Sequence, residues 1–188
     1  MATHIALLHS ITIGKGRRLV MADWRAMMEA IGLKRPRTLI ATGNAVFDSE
    51  RATVGQLEKR LETAFEQSFG RHVDTIVKTR AHWRKLARSN PFPGEAERDP
   101  TRVAVRVMRK PLDDAALEAL MPYATQGESL KVAEGHLWIH FEQDPPRSRL
   151  VSQLTTKRLG VGTVRNWNTV RRLDEMLRGE AVKFGGAE

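Results

Sequence analysis

The order in which apolar spacing changes along this chain constrains its fold most strongly. Short apolar runs of strand length alternate with stretches whose apolar residues recur at helical spacing. Over residues 4–78 the order is strand, helix, strand, strand, helix, strand, and over residues 103–165 the same order returns. Each half therefore has the element order of a ferredoxin-like β-α-β-β-α-β unit.

In the first half, apolar residues predict helices over residues 21–31 and 54–69, which end at Gly32 and Gly70. Two apolar runs flank Gly43-Asn44, a pair typical of a tight hairpin because both residues tolerate positive φ. The second helix carries a row of carboxylates that we expect to lie in solvent. This row consists of Glu58, Glu62 and Glu66.

A helix over residues 81–88 and a polar loop through residue 100 separate the halves. We therefore predict an α+β fold of two successive ferredoxin-like subdomains, at residues 1–80 and 101–188, joined by a linking helix and loop at 81–100. The second subdomain is expected to contain a helix from Ser148 to Arg158 and to end with an extra C-terminal helix from about Asn168.

Composition excludes several classes of function. The 188 residues contain no cysteine, which excludes disulfides, thiolate metal sites and a cysteine nucleophile. No apolar run approaches the roughly 18 residues that span a bilayer, and the N-terminus has no cationic leader. We therefore expect a cytoplasmic protein that does not bind a membrane.

The basic balance points to an anionic partner. The formal net charge is +9, and the excess lies at the two ends of the chain, in residues 1–36 and 147–188. If these ends meet in space they form one basic face, and otherwise the charge is scattered over a solvated surface.

The loop at residues 12–18 is the first candidate for that face. It joins a strand to a helix and contains Thr12, Gly14, Lys15 and Arg17. Backbone N–H groups in such loops can bind phosphate or carboxylate, aided by the helix dipole. The loop matches neither nucleotide-binding glycine motif. A mobile basic loop without a specific ligand is the alternative.

Two further segments have a functional and a structural interpretation each. The Asn44 amide either faces a ligand at the sheet edge or only completes the turn. Arg147, Ser148 and Arg149 either form an anion clamp at a helix N-terminus or make an ordinary capped helix start.

The string Arg165-Asn166-Trp167 is the most distinctive motif. If Asn168 or Thr169 caps the last helix, the three preceding residues supply a cation, an amide and a large π-face. Such a trio can stack on a base and hydrogen-bond its edge. The alternative is that Trp167 packs under the helix while Arg165 extends to solvent.

No metal or cofactor is expected, and no catalytic residue is assigned. His136 and His140 lie on one strand face about 13 Å apart, too far for a single ion. His9 beside Ser10 is the one histidine next to a candidate nucleophile, but no nearby carboxylate completes a triad.

The chain resembles a widespread family of small uncharacterised bacterial proteins, a domain of unknown function. The resemblance spans most of the chain, and it implies an α+β fold with ferredoxin-like parts but no activity. It rests on Ile5–Leu8 with Gly14 and Met21, on residues 42–47 and 90–92, and on Arg147–Leu150 and Arg165–Thr169.

This chain departs from the family pattern after the first strand. Members usually carry Arg-Gly-Ile-Asn-Val-Gly-Gly there, whereas this chain has His9, Ser10, Thr12 and Lys15 in place of Arg, Gly, Asn and the last Gly. Pro146 replaces a glycine that often precedes the Arg-Ser pair.

Three functions are consistent with these observations. The first is binding of nucleic acid or a nucleotide-like phosphate on a basic face. The second is an enzyme acting on a small phosphorylated or carboxylated metabolite, with Ser10 or His9 transferring protons. The third is a protein-interaction module whose basic surface is incidental.

Overall fold

The computed structural model describes residues 1–179, so the last nine residues of the predicted second subdomain lie outside the described residues. The strands are β1 Ala2–Leu8, β2 Lys34–Leu39, β3 Asn44–Ser49, β4 Thr75–Thr79, β5 Val103–Met108, β6 Ser129–Ala133, β7 His136–His140 and β8 Gly162–Asn166. The helices are α1 Met21–Ala30, α2 Val54–Phe69, α3 Arg80–Arg88, α4 Pro93–Arg98, α5 Asp114–Glu118, α6 Thr156–Leu159 and α7 Trp167–Arg178. Short 3₁₀ helices occur at Gly14–Gly16, Met121–Tyr123, Pro145–Arg147 and Arg149–Gln153.

The strands form two four-stranded antiparallel sheets with the same order. The first sheet is ordered β2-β3-β1-β4 and the second β6-β7-β5-β8. Each is the strand order of a ferredoxin-like unit. The predicted α+β fold of two such subdomains is therefore confirmed.

Alternating residues on each central strand supply two cores. Ala6 and Leu8 of β1 face α1 and α2, whereas Ile5 and Leu7 face a shared core between the sheets. Helices α3 and α7 enter that shared core through residues such as Trp83 and Val170. A third core covers the outer face of the second sheet.

The hairpin between β2 and β3 differs in detail from the prediction. The turn occupies residues 40–43, where Ile40 and Gly43 have φ of 47° and 75°. Asn44 instead begins β3 and is fully buried, paired with Leu7 and Leu39. Asn44 is therefore a strand residue whose amide lies inside the protein.

The helix predicted from Ser148 to Arg158 is wrong. Residues Arg149–Gln153 form a 3₁₀ helix, and a separate helix α6 begins at Thr156. Between them the Leu154 carbonyl accepts a hydrogen bond from Arg106 Nη1 at 2.7 Å. Arg106 is 2% exposed and also donates to the Gly160 carbonyl. This buried guanidinium therefore donates hydrogen bonds to one carbonyl before α6 and to one after it. Because the Leu154 carbonyl is used in this way, the segment does not continue as one helix.

The expectation of a solvated carboxylate row on α2 is also wrong for two of its three residues. Glu58 is buried and accepts the Val77 N–H at 3.0 Å. Glu62 accepts the Thr75 N–H at 2.9 Å and pairs with Arg109 of the second subdomain. Glu66 is exposed. The inner part of the row therefore binds β4 and links the subdomains.

No helix within residues 1–179 combines the length and the apolar content that crossing a membrane requires.

Candidate nucleic-acid interface

Arg165 on β8 joins the two subdomains at the end of β1. Its Nε donates to Asn44 Oδ1 at 2.5 Å, and its Nη2 donates to the carbonyls of Leu8 and Thr42 at 3.0 and 3.1 Å. Its Nη1 donates to Thr163 Oγ1 and to the Val164 carbonyl.

These five hydrogen bonds use all five guanidinium N–H groups of Arg165. Burial lowers the pKa of Arg165 to about 10, so the side chain remains a cation at neutral pH. No N–H group is left to hold a ligand. The geometry therefore makes Arg165 a structural clamp between the sheets.

Asn44 completes the same junction. Its Nδ2 donates to the Leu39 carbonyl at 3.3 Å and to Thr42 Oγ1 at 2.8 Å, while its Oδ1 accepts from Arg165. The amide thus stabilises the hairpin turn through Nδ2 and accepts the hydrogen bond of Arg165 through Oδ1. Its hydrogen-bonding groups are directed into the protein.

The loop at residues 12–18 reaches this junction from the other side. Thr12 forms a bridge with Arg18, and Arg18 Nη2 donates to the Ala41 carbonyl at 3.1 Å. Lys15 and Arg17 are exposed. A Cβ built on Gly14 would lie 2.9 Å from the Phe69 carbonyl oxygen, so the loop packs on the carbonyl end of α2. That end repels anions.

The segment 147–149 belongs to a different surface. Leu150 anchors it in the outer core of the second sheet. Ser148 Oγ donates to Glu128 and accepts the Leu150 N–H at 3.2 Å, so it caps a 3₁₀ helix. Arg147 and Arg149 are exposed and make no side-chain hydrogen bond or ion pair with any residue in 1–179. The clamp with a helix dipole is absent because no α-helix begins there.

Asn166, and neither Asn168 nor Thr169, caps the last helix. Its Oδ1 accepts from the Thr169 N–H and hydroxyl, both at 3.0 Å. Helix α7 therefore begins one residue earlier than predicted, at Trp167. The indole of Trp167 is placed on the first turn of the helix and is only partly buried.

Trp167 lies in a groove between α3 and α7. One side of the indole packs at 5.9 Å, between ring centroids, on the buried Trp138. The groove has a volume of about 370 Å³. Besides Trp167, it is lined by Arg84, Ala87, Arg88, Arg171, Asp174, Glu175 and Arg178. We call it the α3–α7 groove.

Four arginines outnumber two carboxylates in the α3–α7 groove. Arg178 pairs with Asp174 at 2.6 Å, and Arg171 donates to Asn168. Arg84 and Arg88 are exposed and have no side-chain hydrogen bond or ion pair with the residues of the described chain. The groove therefore presents the exposed guanidinium groups of Arg84 and Arg88 beside the partly buried indole of Trp167.

Trp167 was predicted from the sequence as a site residue, whereas the arginines around it were not. Arg84 and Arg88 are spaced i, i+4 on the predicted helix at 81–88, which places them on one face. Helices α3 and α7 then pack antiparallel, with Trp83 Nε1 directed at the Val170 carbonyl and Arg80 at the Leu177 carbonyl. The spacing was visible in the sequence, but the pairing of the helices was not.

Other candidate chemistry is already occupied. His9 Nδ1 contacts the Gly162 carbonyl at 2.9 Å, and Ser10 Oγ accepts the Thr12 N–H. Three further side chains, Glu62, His72 and Asp74, bring ligand atoms within 4.8 Å of one another. This set suits a metal ion poorly because Glu62 is held by Arg109.

Comparisons with known proteins bear on fold and family. A bacterial structure, the conserved protein SP0830 from Streptococcus pneumoniae, superposes with a TM-score of 0.72 at 23% identity, covering 95% of this chain and 99% of that one. No curated protein matches the chain. The model of a family of proteins of unknown function, DUF1697, matches residues 1–138. The chain belongs to the DUF1697 family.

Proposed function

We propose that the protein binds a nucleotide, free or as part of single-stranded nucleic acid, in the α3–α7 groove, and that it does so in the cytoplasm. One observation carries this proposal. The only tryptophan of the four that is not fully buried, Trp167, lines the same groove as the exposed Arg84 and Arg88.

The two kinds of group suit the two parts of a nucleotide. An indole face stacks on a base with little sequence preference, worth about 1–3 kcal/mol per base. A guanidinium fork binds phosphate oxygens through two parallel hydrogen bonds. The groove volume of about 370 Å³ is sufficient for one nucleotide unit. Arg171 at the edge supplies a further cation.

The basic face then consists partly of other residues than those predicted from the sequence. Trp167 remains in it, whereas Arg165 and Asn44 serve the junction between the sheets. Arg147 and Arg149 lie on the outer side of the second sheet. The residues that replace them are the arginines of α3 and α7.

Tryptophan fluorescence tests the proposal directly. Trp24, Trp83 and Trp138 are each 0% exposed, so Trp167 is the tryptophan that a ligand in the groove contacts directly. The full chain is titrated with adenosine monophosphate, a single-stranded adenine oligonucleotide and inorganic phosphate. We expect quenching by the first two, with the tighter of them identifying the source of the nucleotide, and no quenching by phosphate.

The variant Trp167→Phe is the control for this titration. It keeps an aromatic ring in the groove but removes the indole that the ligand contacts, so most of the quenching should be lost. Quenching of undiminished amplitude in the variant, or no quenching of the wild type by either nucleotide ligand, would contradict the proposal.

A further inference from the structure

A second cavity, of about 400 Å³, lies between the two subdomains on another face of α3. Helix α3 turns His82 and Lys85 toward this cavity, whereas Arg84 and Arg88 line the groove. Lys78 of β4 and His136 of β7 approach it from the two sheets. Side chains with basic nitrogen atoms, from both subdomains, therefore line the cavity.

His136 offers a single fixed donor. The residue is 7% exposed, and its Nδ1 accepts the Met108 N–H at 3.2 Å. Burial lowers the pKa of His136 to about 3, so the ring is neutral at physiological pH. With Nδ1 as acceptor, the proton lies on Nε2. That N–H has no hydrogen-bond partner among residues 1–179, and the ring lines the cavity.

Lys78 provides the unpaired cation. It is half-buried, and its ammonium group makes no hydrogen bond or ion pair with the described residues. Burial lowers the pKa of Lys78, and the nearby Glu58 carboxylate opposes this effect in part. The neighbouring Lys85 is already paired with Glu134 at 2.6 Å.

Arg109 adds a guanidinium group that is held by residues of α2 and β4. It donates to Glu62 and to the Thr75 carbonyl through Nη2, and its Nε lies 3.6 Å from Glu58. Its Nη1 has no hydrogen-bond partner among the residues described. Arg109 is therefore fixed in place with donors to spare.

We propose that this cavity binds a small monocarboxylate, with its oxygens held by Lys78, the Nε2–H of His136 and Arg109. Val54, Val77 and Pro111 supply an apolar wall for a short aliphatic chain. The carboxylates of Glu58, Glu62 and Glu134 equal in number the cations of Arg109, Lys78 and Lys85, so the walls of the cavity carry little net charge. A single negative charge suits that balance better than a phosphate dianion does.

Calorimetric titration of the full chain tests this site with acetate, butyrate and inorganic phosphate at constant ionic strength. Butyrate should bind more tightly than acetate because its chain reaches the apolar wall, and phosphate should bind most weakly. The variants His136→Asn and Lys78→Met should each weaken butyrate binding about tenfold. Asn keeps an acceptor for the Met108 N–H, and Met keeps the aliphatic stem.

Two controls separate this inference from the proposed function and from misfolding. The double variant R84S/R88S should bind butyrate as the wild type does. If His136→Asn unfolds, the wild-type imidazole resonance decides: the Nε2–H of His136 should shift with butyrate and not with chloride. Phosphate binding more tightly than butyrate, unchanged affinity in both variants, or an unperturbed Nε2–H would overturn the assignment.

Discussion

Arg165 Nε donates to Asn44 Oδ1 at 2.5 Å, and this hydrogen bond joins the last strand of the second sheet to the third strand of the first. The two residues are 121 positions apart in the sequence, yet the Nε–H of one and the amide oxygen of the other are hydrogen-bonding partners. Asn44 is fully buried, and the remaining donors of Arg165 reach carbonyls that end β1 and the β2–β3 turn. This guanidinium group thus adds a polar junction between the sheets to the apolar core that they share.

Replacement of Arg165 should destabilise the protein strongly. In Arg165→Ala, five acceptors lose their donor, and we expect the free energy of unfolding to fall by about 3–5 kcal/mol. Arg165→Lys should recover only part of this, because an ammonium group cannot reach acceptors on both sides. Urea denaturation measures both variants.

The control for this prediction is Arg149→Ala, which removes an exposed arginine without a side-chain partner in residues 1–179. It should change stability by less than about 0.5 kcal/mol. An Arg165→Ala variant as stable as this control would show that the junction does not hold the sheets together.

The β2–β3 turn, which Arg165 contacts, requires glycine at position 43 for two reasons. Gly43 has a φ of 75°, and an added Cβ would lie 2.8 Å from Leu8 Cβ and 3.1 Å from Ile11 Cγ2. Gly43→Ala should therefore lower the free energy of unfolding by about 3 kcal/mol or more, since backbone strain and overpacking combine.

Gly16 separates these two effects. Its φ is 70°, but no atom lies within 4 Å of an added Cβ. Gly16→Ala should lower the free energy of unfolding by only about 1 kcal/mol, because the backbone conformation alone is unfavourable for alanine. Thermal unfolding of the two variants measures the difference, and equal midpoints would argue against a tight turn at Gly43.

The burial of His136 predicts a dependence of stability on pH. Above pH 6.5 the ring is neutral in both the folded and the unfolded chain. Between pH 6.5 and about 3 the unfolded chain binds a proton that the folded protein does not bind. The free energy of unfolding should therefore decrease as pH falls through this window, by up to about 1.4 kcal/mol per unit.

The variant His136→Asn isolates this contribution, because the carboxyl groups titrate alike in both proteins. Urea denaturation at about pH 7 and about pH 5 should show a larger loss of stability in the wild type than in the variant. Equal losses would mean that His136 accepts a proton in the folded state.

Element order was predictable because it rests on local spacing. The apolar run of β1 and the helical repeat of α2 are properties of neighbouring residues, and such local patterns predicted the ferredoxin-like order twice. The missed features are contacts between distant segments. Glu62 looked solvated until Arg109, 47 residues later, folded against it.

The site was predictable only in part for the same reason. Trp167 stood out in the sequence, but Arg84 and Arg88 joined it through the packing of α3 on α7. Arg165 looked like a ligand-binding residue because its acceptors are mostly backbone carbonyls, which a sequence does not reveal. Charge and aromatic content identified the chemistry, whereas tertiary contacts decided which groups remained available.

The salt dependence of oligonucleotide binding in two matched double variants tests the central claim most directly. R84S/R88S removes two charges from the α3–α7 groove, and R147S/R149S removes the same number from the outer side of the second sheet. The groove variant should bind a single-stranded adenine oligonucleotide at least about tenfold more weakly, with a salt slope smaller by about 1.4, whereas the other variant should resemble the wild type. Equal losses in both variants, or a loss confined to R147S/R149S, would contradict ligand binding in this groove.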